Sequence, residues 1–272
     1  MKAAVHLFSG PMGRVEGLRE ALRPRDWLCE DWDIVNAEFL KDPASMHDLS
    51  ADNVWEWFSR DLHSGAIDAI WAGTPCETFS KARCGPPGPR PLRTPESIYG
   101  LKVPLITYEE AEQVKLGTYF AIKTANLLTE AHQVGVPWGL ENPDPSGNPV
   151  SLFNLPEIMA LAKLPGVKHV DFDQCMMGAP SAKPTRVLYF NMDLSTWARR
   201  CLHPPQMWDY KDWHGNLKRV RAPHMPLIGR KSPDGNFASK AASAYPGELN
   251  ELIALAIVKS RRHKPEPVQQ HR

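Results

Sequence analysis

The chain has 272 residues, 42% of them apolar and 23% charged, with a formal net charge of +1. That length and apolar fraction suffice for a sizeable core and exclude general disorder, while the near-zero charge means that contact with nucleic acid has to come from a local basic surface. Five scattered cysteines without a CxxC pair exclude a disulfide framework, and no apolar run reaches the roughly 18 residues of a membrane span, so a soluble, cytosolic, monomeric chain without a leader is expected.

Ala3, Ala4, Val5, His6, Leu7 and Phe8 read as a short buried strand, followed by the tight loop Ser9-Gly10-Pro11-Met12-Gly13 and a helix through Val15, Leu18, Ala21 and Leu22. A second strand is expected over residues 32–38, then a helix over 50–62 capped by Ser50 and ended by Gly65. Residues 67–73 form a third strand whose exit carries Thr74-Pro75-Cys76. The longest helix spans 108–132, with Leu116, Phe120, Leu127 and Ala131 on one face and Gly135 as terminator, and Trp138-Gly139-Leu140 is the strand that follows. Further on come a helix near 155–162, a segment around Val170-Asp171-Phe172, a strand near 187–190 and a last helix over 246–258.

Strands alternating with helices imply an α/β fold with a mostly parallel, doubly wound, Rossmann-like sheet, in which ligands bind beyond the carboxyl ends of the strands. Residues 1–190 form this main domain, 191–232 a small irregular insert, 233–260 a segment and helix returning to the domain, and 261–272 a polar tail; no internal repeat is visible. In the insert, Trp197, Trp208, Tyr210 and Trp213 lie near Lys218, Arg219 and Arg221, and serve either to clamp nucleic acid or as a miniature core. Cys201, His203, His214 and His224 also fall there, but their spacing matches no standard zinc pattern; they read as ordinary loop residues and no metal is expected.

Two strand ends carry the chemistry. Pro75 keeps Thr74 extended, so the Cys76 thiol points into the strand-end crevice, either as a nucleophile or as a small buried hydrophobe. Glu77, Thr78, Ser80, Lys81 and Arg83 follow, a polar run suited to a site. Glu141-Asn142-Pro143 occupies the equivalent position on the next strand, where a carboxylate is either functional or a cap or ion-pair partner.

Phe8-Ser9-Gly10, Pro75-Cys76 with Phe79-Ser80, Glu141-Asn142, and Gly178-Ala179-Pro180 followed by Lys183 and Arg186 stand in an order and spacing that resemble the motifs of the cytosine-C5 DNA methyltransferases, over residues 3–190. The resemblance implies a methyltransferase sheet and methyl transfer from S-adenosylmethionine to C5 of a flipped cytosine in DNA, with RNA as the nearest variant. In this scheme Cys76 adds to C6, Glu141 faces N3 and the exocyclic amine, Asn142 braces the loop, and Arg186 with Lys183 holds the base or its phosphates. Ser80 and Arg83 also lie on the substrate side, and Arg90 and Arg93 belong to a mobile flap over 84–95. The cofactor takes the loop of Phe8, Ser9, Gly10 and Gly13, together with Glu38, Asp48 and Pro75. The chain departs from the family in three ways: Met12 precedes Gly13, the basic motif reads Ser181-Ala182-Lys183-Pro184-Thr185-Arg186, and the DNA-reading region shrinks to residues 191–230. An inactive nucleic-acid-binding relative and another cytosine-modifying enzyme are the alternatives.

Overall fold

A computed structural model describes residues 1–11, 14–33, 47–85, 88–230 and 238–263. In chain order the elements are β1 (Lys2–Leu7), α1 (Leu18–Leu22), β2 (Trp27–Trp32), α2 (Asp52–Ser64), β3 (Ala69–Ala72), α3 (Tyr108–Val134), β4 (Trp138–Pro143), α4 (Pro156–Ala162), β5 (Lys168–Asp173), β6 (Pro184–Phe190), β7 (Gln206–Lys211), β8 (Leu217–Ala222), α5 (Ala238–Ala241) and α6 (Gly247–Lys259). Six strands make one sheet in the order β2-β1-β3-β4-β6-β5. β1 pairs in parallel with β2 and β3, and β3 with β4, whereas β6 runs antiparallel to both β4 and β5. The chain is therefore α/β with a mostly parallel sheet, consistent with Rossmann-like winding.

Both faces of the sheet are covered, which is why its central strands are apolar runs without polar alternation. Val5, Leu7, Ile70, Ala72 and Leu140 pack against Val54, Phe58 and Leu62 of α2, Ala121, Ala125 and Leu128 of α3, and Ile158 and Leu161 of α4. Ala4, Ala69, Trp71, Val187 and Tyr189 face Leu18 and Leu22 of α1 and Leu249, Ile253 and Ile257 of α6. Trp71 fits because its neighbour on β4 is Gly139, where an added Cβ would lie 2.4 Å from the indole ring. α3 begins with a capping box, Thr107 accepting from the Glu110 amide and Glu110 from the Thr107 amide, and it ends at Gly135 with φ 79°.

This strand order positions the site. From β1 the chain moves outward to β2 on one side and then returns to β3 on the other, so the sheet reverses direction between β1 and β3. A crevice opens beyond the carboxyl ends at such a switch point. The segments leaving those two strands are Phe8-Ser9-Gly10 and Gly73-Thr74-Pro75-Cys76.

Some expectations are corrected. The second strand the structure describes lies at Trp27–Trp32; residues 34–38 of the predicted span lie outside the described residues. The strand's alternating burial belongs to an edge strand with charged Glu30 facing outward. α2 is capped by Ala51 with no side-chain bond, so Ser50 is not its cap. Leu116 is 43% exposed, and the face that α3 buries runs through Val114, Gly117, Ala121, Thr124 and Leu128. The insert contains an antiparallel hairpin, β7 paired with β8, closed by an Asp212 carboxylate that accepts the His214 and Asn216 amides and by Gly215 at φ 87°. No residue of either strand is fully buried, but half-buried Trp208, Tyr210, Val220 and Ala222 alternate with exposed neighbours and share one face of the hairpin. Among the described residues no helix is long and apolar enough to cross a membrane.

Candidate active site

Cys76 leaves β3 in a loop that other elements fasten from three sides. Asn142 on β4 donates through Nδ2 to the Thr74 carbonyl at 2.7 Å, Thr74 meets Thr124 of α3 at 3.4 Å, and Asn148 donates to the Phe79 carbonyl at 2.8 Å. Each bond satisfies a buried polar group, so the loop is held by interactions costly to break. Cys76 is partly exposed, yet crowding by protein desolvates its thiol; with the nearby Glu141 charge adding to this and Lys183 opposing it, the pKa is raised from 9.0 to about 11. At neutral pH the resting residue is a thiol.

Glu141 is 6% exposed and sits in a polar cradle. Tyr245 donates its hydroxyl to Oε2 at 3.0 Å, Gln174 donates Nε2 to Oε1 at 3.3 Å, and Lys183 Nζ lies 3.9 Å from Oε1. Gln174 also donates to Thr185 Oγ1 at 3.0 Å, while its buried Oε1 has no partner among the described residues. Burial, and then the Glu141 charge, push the Tyr245 phenol well above its ordinary range, so it remains a donor to the carboxylate. Gly73 makes room for this arrangement: a Cβ there would lie 2.8 Å from the Tyr245 hydroxyl.

Glu141 and Tyr245 also form one wall of a small crevice that is partly open to solvent and that Phe8, Ser9, Gly73, Arg14, Glu20 and Asp31 line as well. Phe8 takes φ 58°, a left-handed conformation that non-glycine residues seldom adopt, and its ring packs edge-on against Phe120 at 5.1 Å. Lys183 is left-handed too, at φ 37°. Backbone strain of this kind persists only where the surroundings over-determine it. Ser9 Oγ donates to the Gly10 carbonyl, and the Gly10 amide donates to Asp33 at 3.0 Å. On the crevice wall itself, His6 Nδ1 lies 3.2 Å from Asp31, which Arg19 approaches at 3.4 Å.

Cys76, Glu141, Asn142, Lys183, Phe8, Ser9, Gly10 and half-buried Pro75 thus gather around the strand ends. Other expected residues are placed elsewhere. Arg186 forms a two-pronged ion pair with Asp171 at 2.7 and 2.8 Å; it stands opposite Asn142, whereas Val187 stands opposite Glu141, so its side chain lies on the other face of the sheet. Asp48 accepts the Ser50 amide at 2.8 Å in the turn before α2 and is not part of the crevice wall. Ser80 caps the short turn after Phe79, and Arg83 donates to the carbonyls of Glu77 and Arg90. Gly13, Met12 and Glu38 lie outside the described residues.

The arginines assigned to a flap are engaged. Arg90 pairs with Glu110. Arg93 is 1% exposed, with its guanidinium 3.7 Å from the Phe79 ring centroid and donating to Thr78, Thr118 and the carbonyls of Ile98 and Val114. Its burial lowers its pKa to about 10. Arg93 therefore buttresses the back of the Cys76 loop and is not available to phosphates.

Tyr245, Gln174 and Asp33 complete the site without having been singled out in the sequence. Tyr245 and Gln174 are distant from Glu141 along the chain and have no local pattern pointing to it; Asp33 was taken as an interior strand residue when it directly follows β2. The insert's cysteine and histidines are also not scattered. Cys201, His203 and His224 converge with Cys175, which follows β5, while His214 lies at the hairpin turn against Trp213 with ring centroids 3.8 Å apart.

No protein-family model matches the chain, and no curated protein matches it.

Proposed function

We propose that the chain transfers a methyl group from S-adenosylmethionine to C5 of cytosine in DNA, through transient covalent addition of Cys76 to C6. The observation that carries this reading is the pairing of a thiol and a cradled carboxylate at adjacent parallel strand ends, with Asn142 tying the two strands together. Cytosine C5 is a weak nucleophile until a thiolate adds to C6, and that addition is helped by a group able to stabilise the charge that develops on the ring. Cys76 is the nucleophile in this scheme. Lys183, whose charge favours the thiolate, offsets part of the cost of its burial. Glu141 faces N3 and the exocyclic amine, and Tyr245 and Gln174 hold it in one orientation. After C5 accepts the methyl group, loss of the C5 proton expels the Cys76 thiolate.

S-adenosylmethionine supplies the electrophilic methyl group. The chemistry of the crevice suits such a ligand in part: Arg14 on its wall suits a carboxylate, while the acidic Glu20 and Asp31 already pair with Arg23 and Arg19. Phe8, Ser9, Gly10 and Gly73 would hold it. On the hairpin, Lys218 of β8 shares a face with Trp208 and Tyr210 of β7, while Arg219 and Arg221 lie on the other face beside Asp209 and Met207; together they offer basic groups to nucleic acid, although Asp209 pairs with Arg219 and Asp212 approaches Lys218 at 3.8 Å. A surface so small and so partly neutralised favours loose sequence recognition.

The test uses substrates with fluorine at C5, from which the final elimination cannot proceed, offered as separate DNA and RNA pools. The DNA pool is expected to give a denaturation-resistant adduct that requires the methyl donor, maps to Cys76, is lost in Cys76→Ala and is kept in Cys84→Ala. An adduct that persists in Cys76→Ala, or none with folded protein and donor, overturns the reading; an adduct on RNA alone reassigns the substrate.

A further inference from the structure

We infer that Cys175, Cys201, His203 and His224 form a structural zinc site that clamps the β7–β8 hairpin to the end of β5. One ligand atom from each of the four residues lies within 4.8 Å of all the others. Cys201 Sγ is 3.4 Å from His203 Nδ1 and 3.4 Å from His224 Nε2, and the two imidazoles stand at 72° with centroids 4.9 Å apart. A tetrahedral ion with bonds of ~2.3 Å to sulfur and ~2.0–2.1 Å to nitrogen separates its sulfur and nitrogen ligands by about 3.5 Å. The sulfur–nitrogen spacing is thus that of a common coordination sphere. Two thiolates with two imidazoles is a donor set that selects zinc over the harder magnesium and calcium, and four protein ligands close the shell, as in structural and not catalytic sites.

The position of the ligands explains why a clamp is needed here. Cys201 and His203 precede β7 and His224 follows β8, so the ion would gather both roots of the hairpin, while Cys175 belongs to the main domain directly after β5. A two-stranded hairpin is marginal in water, and this one fully buries no residue of either strand. Neighbouring polar bonds already hold the roots in register: the Asp173 carboxylate accepts the Cys201 amide at 2.7 Å, and Arg200 reaches Asp144 at 2.9 Å and Asp173 at 3.3 Å. Because Gln174 lies between Asp173 and Cys175 and donates to Glu141, the clamp fixes the hairpin beside the candidate active site. The inference does not depend on methyl transfer.

The full chain, purified under reducing conditions from zinc-supplemented medium, is expected to contain about one zinc per chain, released when its thiols are modified. Cys201→Ser and His224→Ala should lose that zinc, while His214→Ala, altering the histidine outside the cluster, should keep it. Cobalt(II) exchanged into the wild-type chain should show the visible bands of a tetrahedral ion and thiolate charge transfer, a readout that survives any misfolding of the variants. Stripping the metal should speed amide exchange in β7 and β8 by about tenfold or more while leaving β1, β3 and β4 protected. Wild-type protein with neither zinc nor a cobalt spectrum, zinc retained in full by Cys201→Ser, or a Cys175–Cys201 disulfide in its place would each overturn the inference.

Discussion

Replacing Glu141 with Gln keeps the shape of the side chain and removes the charge that bears on Cys76. The thiol sits at about 11, raised first by burial, second by Glu141, and lowered by Lys183. At pH 8 only about one molecule in a thousand then carries the thiolate. In Glu141→Gln the larger like charge is gone and only Glu77 still opposes Lys183, so the pKa should fall, by about one unit at the lower end of what a nearby charge produces. It should remain above the ordinary 9.0, because burial, the larger cause, is untouched. One unit gives about ten times more thiolate, but a thiolate of lower pKa is less nucleophilic, with a Brønsted coefficient near ~0.4–0.5, so the net gain in rate is about three- to fourfold. The assay is reaction with a small disulfide reagent in a Cys84→Ala background, since Cys84 is exposed and would react first, with the Cys76 peptide quantified by mass spectrometry across the pH range. The expected result is a rate profile whose inflection moves down from about 11 and a faster reaction at pH 8. An inflection that stays in place or rises would show that Glu141 and Cys76 do not share a crevice.

The same profile separates the two basic residues of the Lys183-Pro184-Thr185-Arg186 segment: Lys183→Met should move the inflection upward, while Arg186→Gln, which breaks an ion pair on the opposite sheet face, should leave it in place. Equal shifts in the two variants would contradict the sheet register. Gly139→Ala drives a Cβ into the Trp71 ring in the middle of the sheet and should destabilise the protein by about 1–3 kcal/mol in urea titration, the usual cost of overpacking. A neutral or stabilising outcome would mean that β3 and β4 are not packed as described.

Much of the frame was legible because it follows from local chemistry. Continuous apolar runs mark β1 and β3 as buried strands, Gly135 marks the end of α3, and Cys76 and Glu141 stand where strands give way to polar loops. Those signals lie within a few residues of one another, so the sequence by itself determined the α/β alternation, the parallel pairing it implies, and the thiol and carboxylate of the candidate site. Tertiary structure alone decided which partners meet them. Tyr245 reaches Glu141 from across the chain, and Gln174 does so from the turn after β5. The register of β6 sent Arg186 to Asp171 on one face while the left-handed turn at Lys183 brought its amine near Glu141. Arg93 was assigned to a mobile flap because its loop is rich in prolines and glycines, yet Phe79 and four hydrogen-bond acceptors drew it into the interior. The four converging cysteines and histidines looked unrelated because Cys175 lies in a different element from the rest, and His214, closer in sequence, is not among them. Helix and strand periodicity record only which side of an element is covered; they carry no information about which distant residue covers it, since that depends on strand order and register set by the packing of the whole sheet.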